Sequence, residues 1–386
     1  MEASGNRSSR PPAERPRCIY RVLANLAGDF VSKPLVLPDS AESISPEWLT
    51  RVLSERFPGA RAEHVEVLDA HSGTTGRARL RVRWRDGSDA PAALFAKLAP
   101  TDPMQREMVV STGMGRREAR FYAKLAAELP VRVPAPLWAG WSDDGSTYFM
   151  LIEDLAEAGC SFPSFTFDDA GEHARGMMDT LATLHGHYWD SPRFAADLDW
   201  IEAPMRGAVG PLLVAEAVKQ FGARMPDAFG QLAELYIRHT DALNDLLDAG
   251  PSTLVHGDCH LGNSFVDAGH VGLLDWACSC RAPGFRDVAY YLCNSMPIER
   301  RRQLERPLVE RYLAGLAAAG GAAPDFASAW QQLRRFAVTS WVAATVTAAA
   351  GGRMQSVEIG QRAMERATAA IVDLDTPTLL RQELGL

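Results

Sequence analysis

The chain is 386 residues long, with 47% hydrophobic and 23% charged residues and a formal net charge of -8. This composition supplies a large core and excludes collagen-like, disulfide-scaffold and wholly disordered classes, and at roughly 150 residues per domain the length fits a two-lobed protein. The acidic balance, 40 Lys plus Arg against 48 Asp plus Glu, argues against a nucleic-acid partner, which needs a basic surface.

Residues 1–35 mix Pro, Ser and Arg without apolar periodicity and are expected to form a disordered tail. They contain no apolar core of the kind a secretory signal requires. Val65, Val67 and Leu68 begin a strand pattern, a Gly73-Thr-Thr-Gly76 turn follows, and Leu80, Val82 and Trp84 alternate with Arg79, Arg81 and Arg83. The pattern predicts a hairpin with one wet face. After an Asp86-Gly87 turn, Ala92 to Leu98 is apolar enough for a buried strand except at Lys97, whose ammonium must find an anion. Between Pro103 and Pro130 no proline intervenes, and Glu118, Phe121, Tyr122 and Leu125 recur at helical spacing, predicting one helix with Glu118 on a semi-apolar face. Val131 to Ala139, interrupted by prolines, reads as an edge strand, and Tyr148 to Ile152 as a second strand running into Glu153-Asp154-Leu155.

Beyond Leu155 the pattern turns to long helices. The first opens with a Thr166-Phe-Asp-Asp169 capping box and carries an apolar stripe through Met177, Leu181, Leu184 and Tyr188. Helical patterns dominate from Pro211 onward, apart from a β-like island at Thr253 to Asp275. Strands first and helices afterwards predict an α+β protein in two lobes, a β-rich N-lobe over residues 36–154 and a helical C-lobe over 155–386. Trp189, Trp200, Trp330 and Trp341 read as core of the helical lobe, and Arg300-Arg301-Arg302 as a solvated helix face. The longest apolar stretch near the C-terminus, Trp341 to Ala350, is far short of the ~20 residues that span a bilayer, so no membrane insertion is expected. Six unevenly spaced cysteines look like reduced thiols and point to a cytoplasmic location.

The island carries the chemistry. It reads Leu254-Val255-His256-Gly257-Asp258, then Asn263, then Leu273-Leu274-Asp275-Trp276: two short apolar strands, each adjoining an acid, around a polar loop. A hairpin-like return would bring Asp258, Asn263 and Asp275 to one opening. Magnesium prefers oxygen ligands and is usually held by one or two carboxylates or amides together with substrate phosphates, a demand that Asn263 and Asp275 meet. Asp258 is then free to orient a hydroxyl nucleophile and take its proton. A zinc site from His256, Cys259, His260, Cys278 and Cys280 is the competing assembly, although its spacing fits no standard zinc module.

This segment resembles the catalytic segment of aminoglycoside phosphotransferases and choline kinases, families of protein-kinase-like fold. The resemblance extends to Pro283-Gly-Phe-Arg-Asp287-Val-Ala-Tyr-Tyr-Leu downstream, and to Lys97, Arg117-Glu118-Ala-Arg-Phe-Tyr122 and Leu151-Ile-Glu-Asp-Leu155 upstream. Within the group it is nearest the ecdysteroid kinase-like branch. The resemblance implies that Lys97 holds the α- and β-phosphates of ATP and that Glu118 pairs with Lys97, with Glu107 as the rival partner. It further implies that the backbone from Glu153 to Leu155 hydrogen-bonds adenine, that Asp258 is the catalytic base, and that Asn263 and Asp275 hold Mg2+. Asp287 and His256 would support the catalytic loop. The Gly73 to Gly76 turn is either a phosphate-covering loop or a plain hairpin. The expected activity is ATP- and magnesium-dependent transfer of the γ-phosphate to a hydroxyl of a small molecule, with no protein partner evident. An aminoglycoside antibiotic kinase and a catalytically silent, nucleotide-binding pseudokinase are the alternatives.

Overall fold

The computed structural model describes residues 36–73, 75–164 and 169–386. The expected tail, Thr74 of the glycine turn and Thr166 of the capping box lie outside the described residues. A short helix, α1 (Pro46–Leu53), opens the fold; Ser45 caps it by accepting the Trp48 N–H, and Pro46 fills the first turn. Five antiparallel strands follow: β1 (Ala62–Ser72), β2 (Gly76–Trp84), β3 (Ala93–Leu98), β4 (Pro136–Trp141) and β5 (Tyr148–Glu153), in the order β1-β2-β3-β5-β4. In β2 the side chains of Ala78, Leu80 and Val82 are buried and those of Arg77, Arg81 and Arg83 are exposed, the expected wet-faced hairpin. The proline-bearing strand β4 is indeed the edge, but it starts at Pro136, because Pro134 and Pro136 deny the preceding segment its ladder donors.

Residues 103–130 do not form one helix. They form α2 (Pro103–Thr112) and α3 (Met114–Lys124), separated by Gly113 at φ 66, whose N–H closes on the Val110 carbonyl. A left-handed glycine ends a helix as effectively as a proline does. Counting prolines alone misses it.

The helical part begins with α4 (Ala170–His187), capped by Asp169, whose side chain accepts the Glu172 N–H. Met177, Leu181, Leu184 and Tyr188 are all buried. Next come α5 (Val209–Phe221), α6 (Asp227–Arg238) and α7 (Thr240–Asp248). Two small antiparallel sheets then pair β6 (Thr253–Val255) with β9 (Cys280–Ala282) and β7 (Ser264–Asp267) with β8 (His270–Leu273). Strand β9, with 3 residues, is too short to carry a periodic signal. The chain ends in α8 (Phe285–Ser295), α9 (Ile298–Ala318), α10 (Phe326–Ala349), α11 (Val357–Asp373) and α12 (Thr376–Leu384). Helix α8 is buried along almost its whole length and packs against α4, α9, α10 and α11, so it forms the axis of this lobe. Among the described residues no helix is long and apolar enough to cross a membrane.

The arginine run on α9 corrects the expectation of a solvated face. Arg300 and Arg302 are exposed, but Arg301 is only 1% exposed and pairs with Glu305 one turn on and with Asp373 at the end of α11. The charge is buried because α11 brings a carboxylate to it. Removing one partner of a buried ion pair strands the other, so Arg301→Ala should destabilise the fold by about 3 kcal/mol or more; urea denaturation would measure the loss.

Candidate active site

Strand β3 carries Lys97 into the interior, where a lone ammonium would be very costly. Its Nζ lies 2.6 Å from Glu118 Oε1 and 3.3 Å from Asp275 Oδ1. Glu118 on α3 is thus the partner, and Glu107 on α2 is exposed. The same Glu118 oxygen accepts the Trp276 N–H at 3.3 Å, Phe121 stacks on the Trp276 ring at 4.3 Å, and Arg117 donates to the Ala277 carbonyl at 3.1 Å. One face of α3 therefore fixes the segment that follows β8. Burial opposes the Lys97 charge, but Asp275 and Glu118 outweigh it and raise the ammonium above its ordinary range. Burial pushes Glu118 up to about 7 against the pull of Lys97. For Asp275 the balance goes the other way: burial is outweighed by Lys97 and the carboxyl lies below its usual range.

The loop after β6 is held from below by Asp287, in the first turn of α8. Its buried carboxylate accepts the His256 N–H at 2.6 Å and the Gly257 N–H at 2.9 Å, with His185 Nε2 at 3.4 Å. Burial would raise this carboxyl, but the His185 hydrogen bond and charge, with His256 and the Gly257 N–H, hold it below its usual range. Gly257 sits at φ +81, and a Cβ there would lie 2.3 Å from the Cys278 carbonyl oxygen. Only glycine fits. The His256 ring accepts the Asp258 N–H at Nδ1 (3.3 Å) and so presents Nε2–H to the Leu274 carbonyl at 3.0 Å. The Leu274 N–H in turn donates to the Asn263 carbonyl at 3.0 Å.

These bonds join the three segments expected to converge. Asn263 Nδ2 donates to the Asp258 carbonyl (2.9 Å) and to Asp258 Oδ2 (3.1 Å), which fixes the orientation of the Asn263 amide. The side chains of Asp258 and Asp275 are each about one-third exposed, so a ligand can reach them. Asp275 adopts φ 64, ψ 73. An amide oxygen and a carboxylate suit magnesium, which keeps water and phosphate oxygens for its other positions. They do not suit zinc: both His256 ring nitrogens are engaged, the Cys259 thiol donates to the Asp287 carbonyl, and burial pushes Cys280 up to about 11. Among the described residues no group of three or more His, Cys, Asp or Glu side chains could hold a metal.

Glu153 and Leu155 stand apart from this network, at the end of β5. The Glu153 carboxylate is clamped by Arg132 and the Ala135 N–H, and its own N–H donates to the Ala135 carbonyl. The Leu155 carbonyl accepts the Cys160 N–H. Gly76 pairs with Leu98, next to Lys97, so the β1–β2 turn lies at the Lys97 end of the sheet.

Sequence reading missed Tyr290, whose hydroxyl donates to Asp258 Oδ1 at 2.5 Å. Its position three residues after Asp287 on α8 was the available signal. His173 was missed as well. Its Nδ1 accepts from Tyr291 at 2.7 Å and its Nε2 donates to Ser264 at 3.2 Å, beside Asn263.

The two-lobed architecture is that of the protein-kinase-like fold, and the class of protein to which the chain belongs is the phosphotransferases. Residues 81–336 match the phosphotransferase enzyme family, and the chain belongs to that family. Choline kinase from Cryptosporidium parvum Iowa II shares the fold with a TM-score of 0.52 at 11% identity, over 88% of this chain and 97% of that one. Choline kinase LicA from Streptococcus pneumoniae aligns with a TM-score of 0.46 at 13% identity, over 85% and 98%. Aminoglycoside 2′-phosphotransferase-IIIa, solved as a GDP complex, gives 0.47 at 14% identity, over 86% and 99%. No curated protein matches the chain in sequence.

Burial lowers His173 from 6.5 to about 4. Below pH 6.5 the unfolded chain takes up a proton that the native state refuses until about pH 4. Stability from this residue is therefore complete above pH 6.5 and falls with added acid, by up to about 3 kcal/mol. His173→Gln should lack this part of the acid sensitivity when urea midpoints are compared between neutral pH and about pH 5.

Proposed function

We propose that this phosphotransferase moves the γ-phosphate of ATP to a hydroxyl of a small molecule, with Asp258 as the catalytic base. The observation that carries the proposal is that hydrogen bonds through His256 and the Leu274 backbone bring the segments carrying Asp258, Asn263 and Asp275 together, with the buried Lys97 ammonium against Asp275. In this reading the nucleotide lies between residues 36–154 and 155–386, and the backbone from Glu153 to Leu155 faces adenine. Lys97 offsets charge on the α- and β-phosphates and is kept in place by Glu118. Asn263 and Asp275 would hold magnesium, which when bound would offset charge on the phosphates. Asp258 accepts a hydrogen bond from the acceptor hydroxyl, aims its oxygen along the line of attack and takes the proton as the new bond forms.

The acceptor we propose has an apolar body. The segment after Glu202, whose carbonyl accepts the Arg281 N–H of β9, exposes Met205, Val209 and Leu212. The acids near it, Asp245 and Asp248, are already paired with Arg206, which disfavours a polycationic aminoglycoside. A panel of apolar alcohols and aminoglycosides, assayed for ADP release with magnesium and with a chelator, tests both points. Release above the water-only rate is expected with the alcohols alone; release above it with aminoglycosides alone would reverse the acceptor assignment, and none with any acceptor, water included, would favour a silent binding protein.

Asp258→Ala should cut turnover by about 10²-fold or more while leaving the thermal midpoint unchanged. Full activity would overturn the mechanism. Asp275→Asn should instead raise the magnesium concentration needed for half-maximal rate, read by titrating the metal.

A further inference from the structure

Both carboxylate oxygens of Asp258 are already engaged. Asn263 Nδ2 occupies one site on Oδ2, 3.1 Å away, and His260 Nε2 stands 3.8 Å from the same oxygen. The Tyr290 hydroxyl occupies Oδ1 at 2.5 Å. The donors come from separate elements, the loop itself and α8, so the carboxylate is gripped from two directions. A carboxylate offers about four lone-pair sites, two on each oxygen. With one site filled on each side, rotation about the Cβ–Cγ bond breaks both bonds at once.

Tyr290 is well placed to be a rigid donor. It is only 8% exposed and sits on α8, the most buried helix of the lobe. One turn earlier on that helix, Asp287 holds the His256 and Gly257 backbone. The same helix therefore fixes both the backbone before Asp258 and the side chain of Asp258. Burial raises the phenol well above its ordinary range, so it stays a donor at every working pH.

We infer that Tyr290 is a positioning residue for phosphoryl transfer: its hydroxyl locks the Asp258 carboxylate in one orientation, so that the lone pairs left open meet the acceptor hydroxyl from fixed directions. Base and acceptor are then aligned before the reaction starts. This rests on the reading of Asp258 as the base. Near-attack geometry is worth large factors in rate, whereas a donor that touches neither nucleotide nor acceptor contributes nothing to their binding.

The test is Tyr290→Phe, which removes one oxygen and keeps the ring. ADP release from magnesium-ATP is followed with water as acceptor. The expected result is an unchanged thermal midpoint, an unchanged KM for ATP and a kcat lower by about tenfold, the size expected for one hydrogen bond to a charged group. In the Asp258→Ala background the same change should leave the residual rate as it was. In crystals of Tyr290→Phe the Asp258 carboxylate should turn away from its wild-type orientation. Wild-type kcat in Tyr290→Phe, an equal fold-loss in both backgrounds, or an Asp258 side chain that keeps its orientation without the phenol would each overturn the inference. Full turnover by Asp258→Ala alone would instead remove the base assignment, and this inference with it.

Discussion

A positive charge placed inside a sheet governs this structure. Lys97 lies in an otherwise apolar strand, and burying its ammonium is tolerable only if carboxylates meet it there. Two do, from different parts of the chain: Glu118 on α3 and Asp275 after β8. The cluster holds two carboxylates for one cation, and its charge is uneven. The fully buried Glu118 yields, rising to about 7, while Asp275 stays below its ordinary range. The carboxylate that opens to solvent is thus the one that keeps its charge. Because the partners lie far apart in sequence, satisfying Lys97 also fastens α3 to the Trp276 segment.

A buried anion does the matching work in the helical lobe. Asp287 holds two backbone N–H groups of the loop and receives His185, whose other nitrogen meets the Tyr312 hydroxyl at 2.9 Å. This chain of contacts runs from α9 through α4 and α8 to the residue just before Asp258. The loop therefore rests on packed helices rather than on its own turn geometry. Buried networks of this kind are costly when broken and rigid when complete.

Much of this was legible in the sequence wherever the signal was local. Alternation exposed the β1–β2 hairpin, and Lys97 stood out because it interrupts an apolar run. The acids of the 254–276 island stood out because short apolar strands flank them. What escaped reading depended on neighbours distant in the chain. Arg301 looks like surface until α11 supplies Asp373, 72 residues away. Tyr290 looks like core until the fold sets it against Asp258, 32 residues earlier. The break at Gly113 was local but hidden, since a left-handed glycine leaves the apolar pattern on either side intact.

Asp275 occupies a backbone region that side chains enter at a cost of about 1–2 kcal/mol and glycine enters freely. Glycine there would relax the main chain and erase the carboxylate in the same stroke. The carboxylate so erased is one of the two that meet the buried Lys97 ammonium, and stranding that charge costs more than a relaxed main chain gains, so the fold itself holds the strained residue in place.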